Sequence, residues 1–454
     1  MPTLRIPDRI ARRIPGAEFV RGTLKIVAGT GAAQVMSVLA APIITRLYSP
    51  ADYGVYAVAT ALLSVFVAVT CLRYEFAIPL PKDDVTAANV LALSAITNAV
   101  LSAVVAIVLV LFGTTILNVF GAGVAGPYIA LLAIAQFGGG LSSALANWAV
   151  RTKDFSSIAV ANLAQGVGGN AVPVTLGLLG TGVIGLVIGA VAGNLAGLWR
   201  LGRAAWRANA EAFRLVTWAG IATAANRYRR FPIFSSPSAL LGQIGQRAPV
   251  LLIVGFFGTV AGGQYALAER LCYLPVTLVA GAVGQVYIAE SARLAREDPA
   301  GLAGLFRRTT LSLVKIAILP AIAVAIGAPL FFGLVFGDRW TVAGQFVAIL
   351  VPMFYVAFVA TATGDVLYVL ERQGLHLIRE ILRFGFLAGS IVLASVLGLP
   401  ALGAVAVLSA AGSIAYVLYG IISWRAIATY QPRHGPGSTG AGLGPGVPEP
   451  SPGG

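Results

Sequence analysis

Residues 88–112 read ANVLALSAITNAVLSAVVAIVLVLF, a run without a single charged side chain. About 20 mostly apolar residues form a helix long enough to cross the roughly 30 Å hydrocarbon core of a bilayer. Backbone groups in lipid must be paired within the segment itself, so this run predicts a membrane-spanning helix rather than a strand or loop. The number of such runs in the chain then decides the fold.

Comparable apolar runs recur along most of the chain, and we count twelve. They lie near 24–45, 53–72, 88–112, 127–149, 156–178, 182–201, 233–257, 262–288, 311–336, 342–369, 381–398 and 401–423. The composition agrees, because 58% of the residues are hydrophobic and only 11% are charged, against about 25% charged residues in a soluble protein. The sequence predicts an all-α integral membrane protein of about 12 transmembrane helices.

The basic residues alternate between the two ends of the predicted spans. All but five of the 31 lie at the termini, in even-numbered loops or at the span ends beside them. The five exceptions are Arg46, Arg247, Arg270, Lys315 and Arg339. Since short cytoplasmic loops are the ones rich in Lys and Arg, both termini are predicted to be cytoplasmic. A miscounted span would scramble the alternation, which favours twelve over eleven or thirteen.

The longest connection between spans divides the chain into two halves. The predicted parts are a basic cytoplasmic N-terminus (1–23), an N-lobe of spans 1–6 (24–201), a cytoplasmic linker (202–231), a C-lobe of spans 7–12 (232–424) and a disordered Pro/Gly-rich cytoplasmic tail (425–454). Within the linker, Trp206 and Phe213 can share one helical face and Arg203 and Arg207 another. An interfacial helix on anionic headgroups and a solvated linker helix both remain open.

The two halves show a weak internal similarity. Gly54-Val55-Tyr56-Ala57 opens the second span, and Gly263-Gln264-Tyr265-Ala266 opens the eighth. Because each half has an even number of spans, both halves start on the same side of the membrane. The repeat is therefore parallel, and two six-helix lobes related by a pseudo-two-fold axis along the membrane normal should face each other across a cavity.

Several functional classes are excluded by the sequence. It contains no P-loop, no HExxH and no GxSxG, so neither an ATP-driven pump nor these classes of hydrolase is expected. Cys71 and Cys272 lie alone in apolar runs, while His376 and His434 lie in a loop and the tail. No metal site, no cofactor and no enzymatic activity are therefore predicted. The basic clusters are short and scattered, which argues against nucleic acid.

Arg247 is the most informative charge because it lies near the middle of the seventh span. Gln243, Gln246 and Arg247 are spaced i, i+3, i+4 and share one helical face. An ionisable side chain in hydrocarbon faces a cavity or a partner. The stripe is predicted to line the cavity, and a purely structural interhelical hydrogen-bond cluster is the alternative.

Other polar residues in the spans are weaker candidates. Arg270 in the eighth span either lines the cavity or snorkels to the outer interface, and Lys315 has the same ambiguity on the cytoplasmic side. Glu269 and Asp365 are the acidic residues well inside a run, which makes them candidates for ion coupling. The remaining candidates are Arg46 and Arg73 as gate or interface residues, and Gln34, Asn162 and Asn170 as cavity residues.

Several stretches together resemble the Wzx-type oligosaccharide flippases of bacterial polysaccharide biosynthesis, in the multidrug/oligosaccharidyl-lipid/polysaccharide (MOP) superfamily. The matching stretches are residues 44–56 (ITRLYSPADYGVY), 73–75 (RYE), 80–84 (LPKDD), 231–232 (FP), 246–252 (QRAPVLL), 268–271 (AERL), 274–275 (LP) and 370–373 (LERQ). Their order and spacing cover the chain from the first span to the eleventh. Lipid II flippases of the same superfamily have a fourteen-span plan, and two of those spans are missing here.

The resemblance implies a MATE-like fold and transport of a polyprenyl-diphosphate-linked glycan between leaflets of a bacterial inner membrane by alternating access. In that scheme Arg247 and Arg270 bind the diphosphate, whereas Gln243, Gln246, Asn162 and Asn170 meet sugar hydroxyls. Membrane lipids and the polysaccharide polymerase or chain-length machinery would be the partners. The low share of Lys among the basic residues, with abundant Ala and Gly, also favours a GC-rich bacterial genome.

Two other functions are compatible with a polytopic helical protein, but the sequence lacks the residues that each would need. A MATE-type multidrug antiporter would be expected to carry buried acids in the first or seventh span, and neither predicted span has one. A membrane-embedded glycan-processing enzyme would need clustered acids or histidines at one interface, which the sequence does not show. The charge pattern therefore favours an anionic substrate over an organic cation.

Overall fold

The structure, a computed structural model, describes residues 17–430, and it describes side chains from residue 29 onward except at 124, 125, 127 and 373. Within that range the chain is almost entirely helical and contains no strand. The helices are α1 (Ala17–Leu47), α2 (Pro50–Val67), α3 (Asp84–Val119), α4 (Leu131–Arg151), α5 (Phe155–Leu178), α6 (Val183–Ala196), α7 (Leu198–Arg214), α8 (Trp218–Arg227), α9 (236–257), α10 (259–297), α11 (Gly301–Phe336), α12 (Thr341–Gly364), α13 (Gln373–Val396) and α14 (Ala401–Ala428). Most of the predicted tail, and of the predicted segment 1–23, lies outside the described residues.

α9 and α10 belong to one helical segment, Ser236–Pro275, which is broken at a single residue. Gly258 adopts φ 85° and ψ 168° there, a backbone conformation that only glycine adopts without strain. The predicted external loop 258–261 is therefore reduced to Gly258, the residue at which α9 ends and α10 begins. α10 then runs through a π-helical turn, Val276–Ala280, into Gly281–Glu297.

Between residues 17 and 430 we assign twelve spans, although length and apolarity alone identify fewer of them. Eight described segments are long and apolar enough to cross a membrane, and one of these, Phe231–Glu297, contains both α9 and α10. α4, α5 and α13 complete the set. Glycines and amides lower the hydropathy of α4 and α5, and α13 carries Arg379, Glu380 and Arg383. α1–α6 are thus spans 1–6, and α9–α14 are spans 7–12.

The outer faces of the spans are apolar, as expected of a protein whose solvent is lipid. Val110 and Leu111 of α3 are about two-thirds exposed, and Leu319 of α11 is 73% exposed. In water such surfaces would aggregate. The described helices therefore form a multi-pass membrane bundle.

The two halves repeat the same packing. In the first half α3 packs on α4, α4 on α6, and α5 on α6. In the second half the corresponding spans do the same, with α11 on α12, α12 on α14, and α13 on α14. The lobes meet mainly through α2, which packs extensively on the Ser236–Pro275 segment. This contact is what positions the residues of the candidate site.

Candidate functional site

Two adjoining cavities lie between the lobes. The larger has a volume of about 780 Å³ and the smaller about 430 Å³. Residues of both lobes line both of them, namely Tyr53, Tyr56, Thr60, Gln246 and Arg270. The larger cavity extends along α2 from Tyr53 to Arg73 and Glu75 at the far end of that helix. Together they form one interlobe site.

Arg247 and Arg270 both contact α2 of the opposite lobe. Arg247 Nε donates to Ser64 Oγ at 3.0 Å, and Arg270 Nη1 donates to the Tyr53 hydroxyl at 3.0 Å. Each guanidinium has five N–H donors, so these bonds occupy only part of its capacity. The two arginines therefore join the lobes while facing the cavities.

The smaller cavity is rich in cations and aromatic rings. Arg247, Arg270 and Arg383 line it together with Glu269. Glu269 interacts electrostatically with Arg247, and among the described residues no ion pair shorter than 4 Å joins them. Arg383 donates to Glu380 Oε2 at 2.6 Å. The aromatic residues of the wall are Tyr53, Tyr56, Tyr265, Tyr273, Phe354 and Tyr416.

The larger cavity is lined mostly by uncharged polar groups and glycines, although Arg73, Glu75 and Arg270 also line it. Its amide side chains are Gln165, Asn170, Asn194, Gln243 and Gln246, and its hydroxyls include Ser37, Ser64 and Ser143. Glycines of α5 and α6 form part of the wall because these helices pack so closely that Gly193 would place a Cβ about 3.2 Å from Gly169 Cα. The result is a broad surface of hydrogen-bonding groups.

Arg73 and Glu75 lie where the chain leaves α2. Leu72 and Arg73 both have positive φ, 47° and 63°, and the Arg73 guanidinium lies 4.4 Å from the Phe76 ring centroid. Glu75 is 4% exposed and 3.9 Å from Arg73. Burial raises the pKa of the Glu75 carboxyl, and the nearby Arg73 charge offsets this only in part.

The end of the cavity near Tyr53 is closed by contacts between the lobes. This is the end with loop 46–52, and we call it the outer end because the basic residues predict that it is external. Trp340 is fully buried there, and its Nε1 donates to the Thr45 carbonyl at 2.8 Å. Arg46 Nη2 donates to the Leu334 carbonyl at 3.1 Å. Arg46 thus lies in the lobe interface rather than in the cavity.

The structure brings most of the predicted site residues together. Arg247, Arg270, Gln243, Gln246, Gln34, Asn170, Glu269 and Arg73 all line one or both cavities. Besides Arg46 at the lobe interface, three predicted residues line neither of them. Asn162 donates to Thr30 Oγ1 at 2.9 Å between α5 and α1, Lys315 lies exposed on the surface of α11, and Asp365 follows α12 close to Tyr368 and Arg379.

Asn162 and Asn170 lie on the same helix, α5, but packing gives them different surroundings. Asn170 donates to Ser37 Oγ at 3.0 Å, so both asparagines link α5 to α1. Only Asn170 lies deep enough to reach the cavity as well. The prediction that both asparagines line the cavity therefore applies to one of them.

Sequence reasoning missed Arg383, Gln165 and Asn194. Arg383 was assigned to the cytoplasmic end of a span, but α13 turns it into the smaller cavity. The spacing of Arg379 and Arg383 could have indicated this, because it repeats the i, i+4 spacing of Gln243 and Arg247. For Gln165 the indication is the adjacent Gly166, which lies one helical turn before the cavity residue Asn170.

The comparisons with known proteins agree with this architecture. A family model described as "Polysaccharide biosynthesis protein" matches residues 43–345, which is more than half of the chain. The chain belongs to this family. No curated protein matches its sequence. The family assignment and the apolar helical bundle together identify a multi-pass membrane protein of a polysaccharide biosynthesis family.

Solved structures with the same architecture include transporters of two kinds. The lipid II flippase MurJ in an inward closed conformation has a TM-score of 0.70 at 13% identity, with 88% of this chain and 87% of that chain covered. A mutant of the Vibrio cholerae MATE transporter VcmN has a TM-score of 0.62 at 13% identity, covering 93% and 97%. A MOP superfamily transporter from Pyrococcus furiosus has a TM-score of 0.52 at 15% identity, covering 92% and 97%. These likenesses confirm the predicted MATE-like fold.

Proposed function

We propose that this protein is a flippase for a polyprenyl-diphosphate-linked oligosaccharide, moving it from the cytoplasmic to the outer leaflet of a bacterial inner membrane. The observation that carries the proposal is the division of the interlobe site. Arg247, Arg270 and Arg383 of the C-lobe line the smaller cavity, and amides and hydroxyls from both lobes line most of the larger one. A diphosphate and a glycan are the two ligand chemistries that match these two surfaces.

The arginine side suits the diphosphate. A guanidinium offers parallel N–H donors that match phosphate oxygens bidentately. Three arginines line this cavity, and Glu269 is the one acidic residue in its lining. The local charge is therefore positive. An organic cation would meet repulsion at the same place.

The amide side suits the glycan. Sugar hydroxyls both donate and accept hydrogen bonds, as do the side chains of Gln165, Asn170 and Asn194. The volume of about 780 Å³ lies in the range of about 300–1,000 Å³ found for pockets that bind small molecules.

In this proposal, alternating access depends on the bonds that the arginines make to α2. A diphosphate that engages Arg247 through Nε, or Arg270 through Nη1, would compete with Ser64 or Tyr53 for that N–H group. Substrate binding would then weaken the contacts that join the lobes and favour opening of the outer end. A ligand shifts such an equilibrium only through its different affinity for the two states, and this competition supplies the difference.

The remaining parts of the proposal concern topology, coupling and partners. Both termini would be cytoplasmic, with lobes 24–201 and 232–424 moving about the 202–231 linker. Glu269, beside Arg247, is the proposed ion-coupling residue in the cavity, and Asp365 is a second candidate outside it. A polysaccharide polymerase or chain-length machinery would receive the flipped glycan.

The test is a flipping assay in vesicles that contain a polyprenyl-diphosphate-linked oligosaccharide. We expect Arg247→Ala to lower the flipping rate at least about tenfold, because a lost charge-assisted hydrogen bond is worth about 1.5–3 kcal/mol. Lys315→Ala is the matched control, since Lys315 is also a cation within a span but lies exposed on α11. Equal rates in wild type and Arg247→Ala would remove Arg247 from the mechanism.

A MATE-type antiporter is the second candidate, and Glu269 is the observation in its favour. It lies in the cavity, where an acid could bind a proton or an organic cation. Cation uptake into the same vesicles separates the two functions. Uptake that is lost in Glu269→Gln, with no flipping of the glycan by the wild type, would support the antiporter instead.

A further inference from the structure

α7 crosses the ends of three N-lobe helices and lines neither cavity of the interlobe site. It packs on α3, α4 and α5, next to the first turns of α3 and the last turns of α4. This end of the bundle is opposite the outer end. α7 is kinked at Asn209, whose Nδ2 donates to Asp84 Oδ2 at 2.9 Å at the start of α3. The helix is therefore fixed against the lobe.

An apolar groove of about 350 Å³ lies between α7 and the lobe. Its lining is Ala88, Leu91, Ala92, Ala95, Leu141, Leu145, Gly202, Ala205, Trp206, Phe213 and Val216, none of which carries a charge. Phe213 stacks parallel to Trp206 with centroids 6.0 Å apart, and it packs on the buried Trp148 at 4.8 Å. The groove thus has a rigid aromatic wall.

A second, basic cavity lies next to this groove, and Trp206 separates the two. It is lined by Leu195, Leu198, Trp199, Gly202, Arg203, Trp206 and Arg207, so Gly202 and Trp206 belong to both. The Arg203 guanidinium lies 5.7 Å from the Trp199 ring centroid. Trp199 is 75% exposed and Trp206 53% exposed, as is usual for tryptophans at the headgroup level of a bilayer.

We propose that these two surfaces form one binding site for an anionic phospholipid of the surrounding leaflet. One acyl chain lies in the apolar groove, and the headgroup phosphate binds Arg203 and Arg207 beyond Trp206. The occupant follows from the juxtaposition, because an apolar groove that ends at two arginines is complementary to a molecule with an apolar chain and an anionic head. Basic side chains near the membrane surface also attract anionic lipids in general.

The site would anchor the N-lobe and leave the interlobe cavity free for substrate. None of its residues lines either cavity of the interlobe site. α7 also joins the last N-lobe span to the linker that leads into the C-lobe. A lipid bound here would hold α7 against the lobe while the other lobe moves.

The experiment measures lipids retained by the full chain in detergent, by native mass spectrometry, after equilibration with vesicles of phosphatidylcholine and phosphatidylglycerol. We expect the wild type to retain one more phosphatidylglycerol than the double variant Arg203→Gln/Arg207→Gln. The matched control is Arg307→Gln/Arg308→Gln, another exposed arginine pair predicted to face the same side, which should retain lipid as the wild type does.

A second readout tests the groove. The fluorescence of Trp206 is the component of the emission that disappears in Trp206→Phe. Phosphatidylglycerol with brominated acyl chains should quench this component. Ala95→Leu fills the groove and should reduce the quenching at least about twofold. Equal retention in both arginine pairs, or equal binding of phosphatidylcholine, would overturn the proposal. So would a site that retains a polyprenyl diphosphate and rejects phosphatidylglycerol.

Discussion

Gly54 of α2 and Gly263 of α10 are in backbone contact across the boundary between the lobes. A Cβ on Gly54 would overlap the Thr259 carbonyl oxygen, and a Cβ on Gly263 would overlap the Pro50 carbonyl oxygen. The two glycines begin the corresponding GVYA and GQYA stretches of the two halves. The repeated stretch of one lobe thus packs against the corresponding stretch of the other lobe where the outer end is closed.

Replacing either glycine should weaken that closure. In Gly54→Ala or Gly263→Ala a methyl group meets backbone of the facing helix, so the helices must separate. With spin labels on the exposed outer-end residues Leu179 and Val396, in a background lacking Cys71 and Cys272, we expect a longer mean distance than in the wild type. Gly389→Ala is the control, because nothing lies within 4 Å of its added Cβ. Unchanged distances in both variants would mean that the crossing does not hold the outer end closed.

Trp340 should contribute to the same closure through one hydrogen bond. Trp340→Phe keeps an aromatic ring against Tyr53, whose centroid is 5.5 Å away, but it leaves the Thr45 carbonyl without its donor. A buried polar group without a partner costs about 1–3 kcal/mol. We expect a lower thermal unfolding midpoint and faster labelling of a cysteine placed at Tyr56. Trp218→Phe, at an exposed position, should behave as the wild type.

Arg379 should stabilise the C-lobe rather than bind substrate. Its guanidinium carbon lies 3.3 Å from the Tyr419 ring centroid, and Nη1 donates to the Gly364 carbonyl at 2.8 Å. A desolvated cation–π contact contributes about 2 kcal/mol. Tyr419→Leu should therefore lower the thermal midpoint clearly, whereas Tyr128→Leu, at a more exposed tyrosine, should not. A midpoint unaffected by Tyr419→Leu would contradict the assignment.

His376 predicts how stability depends on pH. It lies in the first turn of α13, ahead of the predicted spanning run 381–398, and burial, together with the charge of Arg379, lowers its pKa below the usual 6.5. The folded protein therefore favours the neutral ring, whose Nε2 is 2.6 Å from the Tyr368 hydroxyl. This contribution is fully present above about pH 6.5 and is lost as the pH falls through the lowered pKa.

The measurement is the thermal midpoint between pH 8 and pH 5. The wild type should lose stability below about pH 6.5 more steeply than His376→Gln, which cannot be protonated. Tyr368→Phe should keep most of the wild-type slope, because the burial and the Arg379 charge remain. If the thermal midpoints of wild type and His376→Gln depended on pH in the same way, another group would cause the loss of stability at acidic pH.

The positions of individual side chains were predicted less completely than the spans. The sequence distinguishes Arg247 and Arg270 as charges inside predicted spans, and both line the interlobe site. Their partners Ser64 and Tyr53 were not predicted, since they lie 183 and 217 residues away in the chain. Arg383 was counted as a topology charge because its position near a span end is compatible with either role.

Local composition is enough to predict the membrane class, the spans and the alternation of basic loops, since each span must bury its own backbone and cover the same hydrocarbon thickness. Which polar residues share a cavity, and where the lobes touch, became known from the packed structure. The rotation and depth of each helix depend on packing against its neighbours, and that packing places Asn170 in the cavity, Asn162 against α1, and Gly54 on Gly263.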